Sequence, residues 1–135
     1  MTLTEIATYL ASLGIGTLQV DLFTHFMPPA PDFCITVYAY GGRTSPDVWK
    51  MGESHVQREY PRIHVEVRGV AEDADTPEAK IKDIYRLLSM TAPTLLSGTQ
   101  YWTITPLQPP FPVKKDDNQR YIFACNFEIF KEVTA

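Results

Sequence analysis

The residue types able to do chemistry are few in this chain, and they are scattered. The three histidines, His25, His55 and His64, stand at spacings that match no H-E-x-x-H or related helical metal pair. A Cys–His nucleophile needs a thiol beside an imidazole in space. The two cysteines, Cys34 and Cys125, both fall on segments that read as strands, and Cys125 sits on an apolar face as a small core residue. One wide cysteine pair is neither a disulfide framework nor a zinc pattern. Together with an N-terminus that has no basic leader region, it points to synthesis in a reducing, intracellular compartment. Gly14-Ile15-Gly16 follows a helix, whereas a dinucleotide-binding loop follows a strand. No P-loop and no G-x-S-x-G elbow occurs. Asp116-Asp117-Asn118 offers oxygen donors without the rest of a calcium loop and reads as a hairpin turn. The expectation is a protein that is not an enzyme and uses no cofactor or metal. A small α+β enzyme or ligand-binding protein is the alternative from another class, and it would show converging polar groups in a pocket.

Two helices and a set of strands must position whatever these residues do. Thr2 and Glu5 stand in a capping-box arrangement, and Leu3, Ile6, Ala7, Leu10 and Leu13 follow at helical spacing up to a stop at Gly14. Residues 17–23 read as a short strand, residues 27–32 (MPPAPD) as a proline-stiffened connection, and residues 33–40 as a β-branched, aromatic strand ended by Gly41 and Gly42. In residues 62–70, Ile63, Val65 and Val67 alternate with Arg62, His64, Glu66 and Arg68, the pattern of a strand with one buried face and one wet or interfacial face. A second helix starts near Thr76-Pro77, with Thr76 as the expected cap, and buries Ile81, Ile84, Tyr85 and Leu88. Residues 100–106 read as a strand, residues 108–119 as a turn-rich connection, and Tyr121 to Ile129 as a long strand. The expected fold is α+β: a single, mostly antiparallel sheet of about five strands with two helices on one face, forming one domain over residues 1–135.

Composition narrows the class of function. The chain has 135 residues, 12 Lys and Arg against 16 Asp and Glu, and a formal charge of −4. A general nucleic-acid binder needs a basic face to displace counterions, and none is expected here. No run of apolar residues approaches a membrane span. Many of the 11 prolines fall in residues 28–31 and 106–112, where stiff loops can shape contacts.

The informative anomaly is residues 41–60, which read as a long loop. Structureless loops longer than about 12–15 residues are uncommon unless they are functional or disordered. This segment carries Arg43, Trp49, Lys50, Met51, Arg58 and Tyr60, types enriched at protein interfaces, with Trp49 the natural anchor. The wet face of the following strand adds His64, Glu66 and Arg68 as further interface candidates.

The chain resembles the small minor capsid proteins that serve as tail terminators of long-tailed phages. The resemblance is carried by GIGT (14–17), DLF (21–23), MPPAPD (27–32), VYAYGGR (37–43) and RIHVEVRG (62–69), then by KIKDIYRLL (80–88), LSGTQYWTITPLQPPFPV (96–113) and DDNQRYIFACNFEIF (116–130). It covers nearly the whole chain, although the 43–60 segment has no pattern to match. What it implies is a structural virion protein of the tail and neck, present in the host cytoplasm during assembly. The implied partners are copies of itself in a ring, expected to be a hexamer, the tail tube protein, and a head-tail connector or head-completion protein. Genomic DNA is expected to pass through the lumen without specific binding. A head-side neck or completion protein is the alternative within the same class.

Overall fold

The computed structural model describes residues 2–44, 56–89, 93–96 and 99–134. The chain begins with α1 (Thr2–Ser12), whose Leu3, Ile6, Ala7 and Leu10 are buried at helical spacing. Gly14, at φ 81°, ends it as expected, with its amide on the Ala11 carbonyl. Leu13, expected in the apolar stripe, lies past the last helical residue and is exposed. The Glu5 carboxylate is buried and accepts the Tyr101 hydroxyl at 2.5 Å and the Thr99 hydroxyl at 3.1 Å.

The strands are β1 (Leu22–Thr24), β2 (Cys34–Thr44) and β3 (Val56–Ala71), then, after the helix α2 (Asp75–Ser89), β4 (Thr94–Leu96), β5 (Thr99–Pro106), β6 (Phe111–Lys115) and β7 (Arg120–Thr134). All seven described strands share one sheet in the order β1-β2-β3-β7-β5-β4, with β6 also paired to β7. Only β1 and β2 run parallel; every other pair is antiparallel. The α+β architecture is as the sequence indicates, with more strands.

Several boundaries move, each for a physical reason. The strand expected over residues 17–23 shrinks to β1, because the Asp21 carboxylate accepts the Thr17 amide at 2.7 Å and folds the preceding residues into a turn. Gly41 and Gly42 do not end β2. A bulge between Ala39 and Gly42, with Gly41 at φ 95°, lets the strand turn and continue to Thr44. Within the long loop expected over residues 41–60, residues 41–44 and 56–60 are strand instead, with Arg43 paired to Tyr60 and Thr44 to Glu59; residues 45–55 lie outside the described residues. At α2 the cap is Asp73, whose carboxylate accepts the Thr76 amide at 3.2 Å, so Thr76 itself lies inside the first turn.

The core lies between the two helices and one face of the sheet. Ile81, Ile84 and Leu88 of α2 join the α1 stripe over Ile63, Val65 and Val67 of β3 and Phe123, Cys125, Phe127 and Ile129 of β7. Each such side chain contributes about 1.5–3 kcal/mol on burial. The alternation that fills this face leaves the intervening residues of β2, β3 and β7 on the opposite face, where no helix lies among the described residues.

Candidate assembly surfaces

The helix-free face divides into a closed end and an open end. At the closed end the 28–32 connection folds back over the sheet and is held by two arginines. Arg68 donates to the carbonyls of Asp32, Pro28 and Pro31 at 2.9, 2.7 and 2.7 Å. Arg120 donates to the Pro29 carbonyl at 2.8 Å, to Asp32 at 3.0 Å and to Asp116 at 2.9 Å. Both arginines are buried. Asp116 also accepts the amides of Asn118 and Arg120, each at 2.9 Å, which makes the Asp116-Asp117-Asn118 stretch the expected hairpin turn. Cys34 lies beside Arg68 in the sheet and is buried. Burial pushes its thiol up, partly offset by the positive charges of Arg68 and Arg120.

At the open end, polar groups and rings form a half-exposed pad around His64. One His64 ring nitrogen lies 2.9 Å from Glu66 and the other 2.5 Å from Asn126. The rings of Tyr38, Tyr40 and Phe111 lie 5.9, 6.4 and 6.4 Å from the imidazole. The Glu66 contact holds the imidazolium form, so the His64 pKa is raised although burial opposes it, with Asn126 adding to the rise. Arg62 pairs with Glu128 at 3.0 Å, and Tyr60 stacks on Phe130 with centroids 5.0 Å apart.

Of the expected interface residues, His64, Glu66 and Tyr60 come together on this open pad. Arg68 shares their strand face but is spent on the proline connection. Arg43 and Arg58 are strand residues of the β2–β3 hairpin. Trp49, Lys50 and Met51 lie outside the described residues. Sequence reasoning missed Tyr38 and Tyr40, although their period-two spacing on a strand was the signal. It also missed Phe111 and Asn126, whose place beside His64 follows only from β6 and β7 pairing.

Cys125 is buried, and that burial raises its thiol to about 11. Cys34 and Cys125 lie on opposite faces of the sheet. Among the described residues no group of three His, Cys, Asp or Glu side chains could hold a metal, and no helix is long and apolar enough to cross a membrane.

Fold and surface together define an α+β protein whose single sheet is covered by helices on one face and partly by the proline connection on the other. The chain matches the family of bacteriophage tail terminator proteins over residues 9–133, and it belongs to that family. It is thus a non-enzymatic component of the phage tail. Among solved structures it is similar to a chain from the virion of a native gene transfer agent particle, at 16% identity, with 94% of this chain and 86% of that one covered and a TM-score of 0.57. A second solved chain, whose label names no function, has 12% identity, coverage of 93% and 88%, and a TM-score of 0.53. At these identities the likeness is one of fold. No curated protein sequence matches the chain.

Proposed function

We propose that this protein caps the head-proximal end of the phage tail tube as a ring, with six copies as the expected number. The ring stops tube polymerisation and offers the surface on which the head-side connector or completion protein docks. The family match across residues 9–133 carries the reading. The test is tail length. Cells making tails without this chain should yield over-long tubes that join no heads, and supplying the chain should restore both length and joining. Normal-length tails in its absence would overturn the proposal.

Two features support the finer assignment of surfaces. Six copies multiply a formal charge of −4, and an acidic lumen repels the phosphate backbone, so DNA can slide through without sticking. Duplex DNA titrated at low salt should bind weakly or not at all. The open pad with His64, Glu66 and Tyr60, together with Arg43, Trp49, Lys50, Met51 and Arg58 from the stretch between 43 and 58, supplies contacts to neighbouring copies or to the tube. Trp49→Ala should leave the fold intact and reduce the yield of joined particles.

A further inference from the structure

We infer that copies of this chain join edge to edge, the outer edge of β2 over residues 39–44 pairing antiparallel with residues 102–106 of β5 in the next copy. This rests on the ring reading above and specifies its contact.

A sheet edge presents unpaired amides and carbonyls, and natural proteins close such edges unless they use them. Most of this sheet's edge is closed. The outer side of β1 is capped by its own turn, with the Gln19 amide on the Leu22 carbonyl at 3.0 Å and the Leu22 amide on the Thr17 carbonyl at 3.2 Å. The edge strand β6 carries Pro112, Lys114 and Lys115, and Pro109 and Pro110 precede it. Prolines and lysines are edge-blocking residues. Two windows stay open. β1 covers β2 only over Ile35 to Val37, so β2 from Ala39 to Thr44 has no strand outside it among the described residues. β4 covers β5 only over Thr99 to Tyr101, which leaves Trp102 to Pro106 with no strand outside them among the described residues. Ala39, Tyr40, Trp102, Thr103 and Thr105 are all exposed.

The windows match in level and direction, and that of β5 is one residue the shorter, because Tyr101, level with Thr44, is already paired to Thr94. Following the register across the sheet, Ala39 lies opposite Ile63, Ile63 opposite Phe127, and Phe127 opposite Pro106. At the other end Thr44 leads to Glu59, then Lys131, then Tyr101. Each strand carries one bulge here, between Ala39 and Gly42 and between Tyr101 and Thr103, so the two stay in step along their length. Two antiparallel steps separate β3 from β5 and one separates β2 from β3. A copy displaced sideways therefore sets β2 antiparallel to β5, the more stable pairing. It does so without a step along the strands. A head-to-tail contact without such a step closes into a ring, whereas one with a step winds into a filament. The chain thus carries both halves of a heterologous contact on opposite edges of one sheet. In that pairing Tyr40 falls beside Thr105, an aromatic and β-branched pair.

The test is disulfide trapping in assembled tails. Tyr40→Cys combined with Thr105→Cys changes two exposed positions, and the native Cys34 and Cys125 are buried away from the reaction. Under mild oxidation the double variant should lose its monomer band to a ladder of covalent multimers. Either single variant, and the mismatched pair Tyr40→Cys with Val113→Cys, should stay monomeric on the gel. Rings seen at the tube end without cross-linking, or cross-linking equally strong in the mismatched pair, would overturn the edge contact while leaving the ring reading standing. Tails with no ring at all would overturn both.

Discussion

Arg62 and Arg68 sit on the same face of the same strand, yet they live in different solvents. The Arg68 guanidinium is sealed under the proline connection and satisfies three carbonyls. The Arg62 side chain is 42% exposed and makes one ion pair with Glu128. The difference lies in what crosses the face at each end, a returning loop at one and nothing described at the other. A charged residue at the wet position of an alternating strand thus announces only that the helices are elsewhere. Whether it meets solvent, a partner or its own chain is decided by a segment distant in sequence.

Breaking the closed end should give the largest effect. Arg68→Ala leaves the carbonyls of Pro28, Pro31 and Asp32 without their charged donor and should destabilise the fold by about 3 kcal/mol, read by urea denaturation. Arg68→Lys should recover little of that loss, because an ammonium cannot reproduce the planar fork. Arg120→Ala should cost about 2 kcal/mol by the same measurement, since it frees the Pro29 carbonyl and the Asp116 turn together.

The open end should respond to pH before it responds to truncation. The His64 pKa is raised in the folded state, so its stabilising contribution is fully present below the ordinary histidine value and is lost as pH rises through the folded one. The urea midpoint should fall across that window in the native chain, and the fall should be reduced in His64→Gln. A titration of the His64 ring by NMR that gives an ordinary value would contradict the geometry. The smallest effect belongs to Arg62→Ala, below about 1 kcal/mol, as for other half-exposed ion pairs. A loss as large as that of Arg68→Ala would erase the distinction between the two ends.

Much of the framework was legible because it rests on local periodicity. The alternation of Ile63, Val65 and Val67 and the stripe of Ile81, Ile84 and Leu88 each mark a buried face without reference to the rest of the chain. Tyr85, placed in the same stripe, is only half-buried at its margin. The short strands were not legible. Phe111-Pro-Val-Lys-Lys115 has the composition of a turn and becomes a strand only because β7 supplies a long partner edge. Gly41-Gly42 reads as a stop and acts as a bulge. The arginine clamp was hidden for the same reason: Arg68 reaches carbonyls 36 to 40 positions away, and no window of sequence contains both partners. Of the open pad, the histidine strand was visible, but its aromatic surroundings come from three other strands.

The buried Glu5 carboxylate has a geometric consequence. α1 packs against β1 and β2, while Glu5 in its first turn grips Thr99 and Tyr101 on β5. The helix therefore crosses the sheet like a diagonal brace in a frame. Its 11 residues span about 16 Å, and the three strand spacings from β2 to β5 come to about 14 Å. A braced panel keeps its width and its warp when its neighbours pull on it. In the proposed ring that width would be the arc length contributed by one copy, and the helix its gauge.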